Sequence, residues 1–346
     1  MKKVTVIGLF CEGKDVSDGQ SIKTRILTQE LEKYYGKEKV RRIDTCSWKK
    51  KAIRLLLNCL SAVRDSENVI FMTDDGGIKV FPWLLLSSNL FYKRSLHYVV
   101  IGGWLAEYLA KHKFTAACLK KFKCIFPETS VMKNKLESHG FKNLCLLPNF
   151  KNIEVLKADD LVNTYEQPFR FCTFSRVIKE KGIDVAVNAI KETNNRMGGK
   201  ICTLDIYGAI DPEQKEWFEN LSKDFNSDIR YCGIVQYDKS VDTLKNYFAL
   251  LFPTCYEKEG IPGTIIDAYA SGLPVIASKW SGFQDMVEEY STGLGYPWLE
   301  NDDLQKFVEM AVTDPKLIMN MKINCLKKAE SYKPENLIEI LLSKLS

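Results

Sequence analysis

The sequence predicts an α/β protein of two doubly wound domains, and three observations carry that prediction. Short β-branched runs alternate with amphipathic helical segments along most of the chain, the pattern of βαβ units in a parallel sheet. At 346 residues the chain is long for one core and comfortable for two. A polar stretch running to Gln167-Pro168 separates two such series, which places the domains at 1–150 and 151–346.

In the first series KVTVIGL (3–9) reads as a buried strand, followed by a polar loop and a helix from about Ser21. VRRID (40–44) is the next strand and AIRLLLNCLSAVRD a helix. NVIFMT (68–73) is a strand closed by Asp74-Asp75-Gly76-Gly77, ahead of a helix through PWLLLSSNLFY. HYVVIGG (97–103), WLAEYLAKH and FKCIFP continue as strand, helix and strand. The second series starts with FRFCTFS, a strand, and the helix GIDVAVNAIKET. CTLDIYG, IRYCGIV, ALLFPT and PVIAS read as further strands, with PEQKEWFENLSKDF, SVDTLKNYF and TIIDAYASG as the helices between them. LIMNMKINCLKKAESY and NLIEILLSKLS close the chain as helices.

Charge is divided unevenly. Residues 1–150 hold 26 basic and 14 acidic side chains, a net +12, whereas the remainder nets −7. The first half is therefore drawn to something anionic. The eleven cysteines are scattered through apolar runs such as LLLNCL and YCGIV with no C-x-x-C pair, as expected of reduced, buried thiols. No segment approaches the roughly 20 apolar residues of a membrane span. MKKVTVIGLF runs into Glu12-Gly13-Lys14 without a cleavage pattern, so no signal peptide is expected and the cytoplasm is the expected compartment.

The chemistry is concentrated in Phe174–Asp184 (FSRVIKEKGID) and Glu259–Ala277 (EGIPGTIIDAYASGLPVIA). The first sets Arg176 and Lys181 at the mouth of a strand. The second opens a helix with Gly260, Ile261, Pro262, Gly263 and Thr264. Helix starts present unpaired N–H groups and a positive dipole end, so two cations beside one make a cradle for a diphosphate. Glu259 and Asp267 flank it and are suited to grip hydroxyls, as on a sugar or a ribose. The ligand this implies is a nucleotide-sugar.

These motifs resemble the retaining glycosyltransferases of the GT-B fold, in the large glycosyl transferases group 1 family that builds bacterial polysaccharides and glycolipids. The family pattern is a strand ending in Gly/Ser-Arg, then Lys-Gly, then Glu-Gly-x-Pro, a second Glu, and a Gly-x-Pro-Val-Ile strand. Here those read Ser175-Arg176, Lys181-Gly182, Glu259-Gly260-Ile261-Pro262 and Gly272-Leu273-Pro274-Val275-Ile276, over about residues 148–296. The resemblance implies two Rossmann-like domains facing across a cleft, with the last helix crossing back to the first domain. It implies transfer of a sugar from a UDP- or GDP-linked donor to a saccharide or lipid-linked acceptor in surface polysaccharide or glycolipid synthesis. Arg176 and Lys181 would neutralise the diphosphate, Glu259 would hold the donor sugar, and Gly263 and Thr264 would let the phosphates approach the backbone. No cofactor and no metal are expected. Asp-x-Asp is absent, His97, His112 and His139 are far apart, and the leaving phosphate itself would take the acceptor proton, so no catalytic base is named.

One position departs from the family. Asp267 stands where it has a second glutamate that binds the ribose, and aspartate keeps the charge one methylene shorter. That departure leaves open a non-catalytic partner of another transferase, beside a sugar-nucleotide epimerase of the same fold. In the first half, Gly19 in Asp18-Gly19-Gln20-Ser21 matches the family's glycine loop near the phosphates, with Lys23 one turn further on, although a helix-capping turn accounts for Ser21 equally well. Gly8 to Gly13-Lys14 has phosphate-loop spacing, but Asp15 replaces the hydroxyl that would hold Mg²⁺. Gly102-Gly103-Trp104 lies at a strand end, as an acceptor-side loop or a tight turn. Lys49–Lys51 with Arg54, Lys93-Arg94 and the Lys111–Lys123 stretch lie beside Trp48, Phe114 and Phe122, either as a solubilising surface or as a face for anionic lipid. No nucleic-acid motif accompanies them.

Overall fold

The computed structural model describes residues 1–12, 19–46, 52–73, 76–162, 164–300 and 302–345. The chain divides into two units: Met1–Asn152 with Lys258–Ile261 and Tyr332–Ser346, and Ile153–Glu257 with Pro262–Ser331.

Among the described residues, the first unit carries the parallel strands β1 (Lys2–Gly8), β2 (Val40–Asp44), β3 (Ser66–Met72), β4 (Ser95–Val99) and β5 (Cys124–Phe126), in sheet order β2-β1-β3-β4-β5. Helices α1 (Gly19–Tyr35), α2 (Ala52–Asp65), α3 (Phe81–Tyr92), α4 (Leu105–Lys111), α5 (Lys113–Leu119) and α6 (Ser130–Ser138) alternate with them. A sheet covered on both faces needs apolar residues at successive positions, which is why β1 is buried from Val4 to Gly8 without a polar-out alternation. Ile7 and Phe71 face a core with Leu55, Phe81, Leu105, Leu119 and Leu136 of α2 to α6. Val4 and Val6 face the other way, onto Ile26, Leu27 and Leu31 of α1.

The second unit holds β6 (Phe169–Phe174), β7 (Cys202–Tyr207), β8 (Ile229–Gly233), β9 (Ala249–Phe252), β10 (Val275–Ser278) and β11 (Gly293–Tyr296), in order β11-β10-β9-β6-β7-β8. Its helices are α7 (Ile183–Met197), α8 (Lys215–Ser222), α9 (Ser240–Leu244), α10 (Gly263–Ala270), α11 (Phe283–Met286), α12 (Asp303–Thr313) and α13 (Pro315–Glu330). Phe171, Leu204 and Ile206 pack on Ala186 and Ile190 of α7, Phe218 of α8 and Val308 of α12. The chain then returns to the first unit. Lys151 N–H donates to the Tyr332 carbonyl at 3.1 Å, and Leu337 and Leu341 of α14 (Pro334–Leu342) complete the core around α1.

The division differs from the boundary drawn at 150/151. Lys258–Ile261, read from sequence as part of the second domain, belongs to the first unit, because backbone groups of that segment bond to Gly103, Glu128 and Asn149. The basic stretch after His112 also changes character. Lys113–Leu119 is a helix of its own, and Phe122, read as a neighbour of the surface lysines, is 3% exposed and part of the core. Strand β11 and helices α6 and α12 were not legible in the sequence. Trp48, Lys49–Lys51, Gly13-Lys14, Asp15, Asp18 and Asp74-Asp75 lie outside the described residues.

Candidate active site

β6 and β9 are neighbours, with Phe171 opposite Ala249 and Cys172 opposite Leu250, yet the connections leave them in opposite directions. β6 leads to β7 and β8 on one side, β9 to β10 and β11 on the other. This is the switch point of a doubly wound sheet, where ligands bind beyond the carboxyl ends of the strands. Arg176 and Lys181 follow β6 there, and Gly263 and Thr264 follow β9.

Side-chain bonds lock these segments together. Thr264 Oγ1 donates to the carbonyl of Phe174 at 2.6 Å and ties the first turn of α10 to the end of β6. Cys255 N–H donates to the Glu180 carbonyl at 2.9 Å. A side chain on Gly182, whose φ is 68°, would collide with the Pro253 carbonyl, so the turn carrying Lys181 lies directly against the segment after β9. The Lys181 amine sits 5.4 Å from the ring centres of both Phe252 and Tyr256, which hold it by cation–π attraction. Arg176 is exposed. The Gln214 amide donates to Glu180 at 2.9 Å and, with a smaller contribution from Arg176, holds that carboxyl below its usual range.

Helix α10 starts without an acid in its first turn, and its cap, Pro262, has no side-chain acceptor, so its positive end is not neutralised locally. Among the described residues, a Cβ on Gly263 would meet nothing within 4 Å, and the same holds for Gly19 at the start of α1. Packing therefore demands glycine at neither position. Asp267, one turn into α10, is 3% exposed and accepts a hydrogen bond from Ser240 Oγ at 2.9 Å.

Glu259, Gly260 and Ile261 belong to the first unit, where Glu259 is 8% exposed. Gly103 N–H donates to the Lys258 carbonyl at 2.9 Å, so Gly102-Gly103 forms a support for this turn. Lys23 is turned inward and is 1% exposed. Sequence reasoning passed over Glu128 and Asn149, which bond to Ile261, because each looks like an ordinary polar residue until a partner more than a hundred residues away is placed beside it. Among the described residues, no group of three His, Cys, Asp or Glu side chains is arranged to hold a metal ion.

Residues 168–313, which include every one of these positions except those in the first 150 residues, match the family described as glycosyl transferases group 1. The chain therefore carries a glycosyl transferases group 1 domain over these residues. The chain is 26% identical over 141 residues to the amylovoran biosynthesis glycosyltransferase AmsK of Erwinia amylovora, covering 38% of this chain and 33% of that one. It is 29% identical over 166 residues to the GtfA subunit of the UDP-N-acetylglucosamine–peptide N-acetylglucosaminyltransferase of Streptococcus agalactiae, covering 48% and 31%. The matches thus span about a third of the length of these curated relatives. Among solved structures, sucrose-phosphate synthase of Thermosynechococcus elongatus superposes with a TM-score of 0.78 at 16% identity, over 99% of this chain and 98% of that one. HepE of Anabaena, in a complex with UDP, gives 0.77 at 12%, over 100% and 99%. At such identities the likeness speaks for the fold alone. That fold is GT-B, two Rossmann-like domains in one chain, the group 1 domain being the second.

Proposed function

We propose that this chain transfers a sugar from a nucleoside-diphosphate donor to a saccharide or lipid-linked acceptor in bacterial surface polysaccharide or glycolipid synthesis. The observation that carries the reading is the switch point at β6 and β9, where Arg176, Lys181 and the uncompensated start of α10 are held together inside a group 1 domain. The bond from the anomeric carbon to the diphosphate breaks and a bond to the acceptor oxygen forms, with retention as the family resemblance implies. The acceptor proton passes to the departing phosphate. Arg176, Lys181 and the N–H groups of Gly263 and Thr264 meet the developing charge, so the reaction needs no divalent ion. Glu259 contacts the donor sugar and Asp267 the ribose. Among the described residues no packing requires glycine at position 263, and its bare Cα leaves room for phosphate oxygens at the start of α10.

The test is thermal stabilisation by UDP and by GDP. The nucleotide of the true donor raises the melting temperature, since a ligand at 100 times its Kd adds about 2.7 kcal/mol. No shift with either nucleotide overturns the reading. Asp267→Ala should weaken that nucleotide and Asp267→Asn should do so less, because asparagine keeps an acceptor for a ribose hydroxyl and for Ser240. Unchanged affinity of Asp267→Ala in calorimetry would remove Asp267 from the site.

The acceptor side of this reading is a membrane one. No helix among the described residues is long and apolar enough to cross a membrane. α2 packs on α3 and α3 on α5, and all three present apolar side chains to solvent. Ile53, Leu56, Leu57 and Leu60 share one face of α2, with Ile53 77% exposed, while Phe91 of α3 is 85% exposed. Arg54, Lys93, Lys113, Lys120 and Lys121 stand exposed among them. A surface at once apolar and cationic suits an anionic bilayer. The protein should float with vesicles containing phosphatidylglycerol, lose them as salt rises, and bind less after neutralisation of Lys113, Lys120 and Lys121. Failure to bind such vesicles at low salt would make this face a solubilising one.

A further inference from the structure

The turn that carries Glu259 is anchored by a buried ion pair with no place in the reaction described above. Lys23 of α1 is 1% exposed and Glu128, between β5 and α6, is 3% exposed. The Lys23 amine donates to Glu128 Oε1 at 2.6 Å and to the Val100 carbonyl at 3.2 Å, and it lies 5.9 Å from the centre of the Phe150 ring. The other carboxylate oxygen, Oε2, accepts the N–H of Gly102 at 3.2 Å and of Ile261 at 3.4 Å. Asn149 Nδ2 donates to the Ile261 carbonyl at 3.0 Å. A Cβ on Gly260 would collide with Glu128 Oε2, and one on Gly103 with the Glu259 carbonyl.

These contacts have a direction. Glu128 gives one oxygen to the cation that compensates its burial and the other to two backbone N–H groups, one from each of the segments that meet at Glu259. Stability alone does not call for this arrangement, since a buried ion pair is often matched or bettered by apolar residues of the same volume. What an apolar pair cannot supply is an acceptor for Gly102 and Ile261. We propose that the Lys23–Glu128 pair is the positioning element of the active site: it fixes the height and orientation of the Glu259-Gly260-Ile261 turn through its backbone, without touching the donor. The proposal rests on the assignment of Glu259 to the donor sugar.

Hydrogen exchange by mass spectrometry, combined with UDP and GDP melting shifts, tests it in the full chain. The double variant K23M/E128M removes both charges together, so no buried charge is stranded. It should melt close to wild type and keep the nucleotide-induced shift, which depends on Arg176 and Lys181. Exchange at the amides of Gly102 and Ile261 should rise about tenfold or more while β1 and β3 stay protected. G260A provides a second route, since its methyl group pushes against Glu128 and leaves the ion pair chemically intact, and it should free the same amides. Once the donor is known, kcat should fall about tenfold in both variants with KM changed by less than about twofold, a split that general loss of structure does not produce. Wild-type protection of Ile261 in both variants overturns the proposal. A wild-type protein that ignores both nucleotides overturns the donor-site assignment instead, and the exchange result still decides the anchoring of the turn.

Discussion

Arg176→Ala is expected to lower glycosyl transfer about a hundredfold and to leave the fold intact. In the proposed reaction the charge that develops on the departing diphosphate would be met by two side chains and a helix start, and losing one fixed cationic donor costs on the order of 3 kcal/mol of transition-state stabilisation. Arg176 is exposed and enters no ion pair among the described residues, so its removal strands no partner. Arg176→Lys should fall between, because an ammonium keeps the charge but loses the planar fork that fits two phosphate oxygens at once. Glu259→Ala should cost a comparable factor through the donor sugar, with circular dichroism melts as the control, since that residue is 8% exposed. Near-normal turnover in a folded Arg176→Ala protein would refute the diphosphate role.

Lys322→Met should stabilise the protein at neutral pH by a margin on the order of 3 kcal/mol. Lys322 of α13 is 1% exposed, its amine has no hydrogen-bond partner among the described residues, and it rests 5.0 Å from the centre of the Tyr165 ring. Burial lowers its pKa from 10.5 to about 8, opposed weakly by nearby Cys325. Below pH 8 the folded protein must therefore keep a desolvated charge that the unfolded chain hydrates. Between about pH 8 and 10.5 the unfolded state binds a proton that the folded state has released, so the wild type gains stability relative to the variant as pH rises. The advantage of methionine should be full at pH 7, shrink across that window and vanish above it. Denaturant midpoints for the two proteins at pH 7 and near pH 10 measure this, and a pH-independent difference would mean that the ammonium is hydrated in the native state.

Much of the fold was legible because buried parallel strands are written as continuous apolar runs. KVTVIGL and NVIFMT became β1 and β3 nearly as read. GLGY did not announce β11, since two glycines in four residues carry no strand preference and the segment is a strand only through its pairing with Val275–Ser278 of β10. SVMKNKLES, the sequence of α6, has a Thr129 cap but few apolar residues to betray a helix. At the site, Arg176, Lys181 and the opening of α10 stood out because they lie in short segments of special composition. Lys23 stood out only as a neighbour of Gly19, and Glu128 did not stand out at all. Lysine and glutamate are usually exposed, and only the fold, which joins positions 105 residues apart, shows that these two are core residues. The path of Lys258–Ile261 was hidden for the same reason.

That path has a bearing on how such enzymes are recombined. A chimera that joins the first 152 residues of one relative to the remainder of another looks natural from the linear sequence. In this chain it would graft a foreign four-residue turn onto Gly102, Gly103, Glu128 and Asn149, and a foreign α14 onto the Ile26, Leu27 and Leu31 face of α1. A working exchange has to move three pieces as one: 1–152, 258–261 and 332–346. By the same token, substitutions in the Glu259 turn and in the loops beneath it are inherited usefully only as a set.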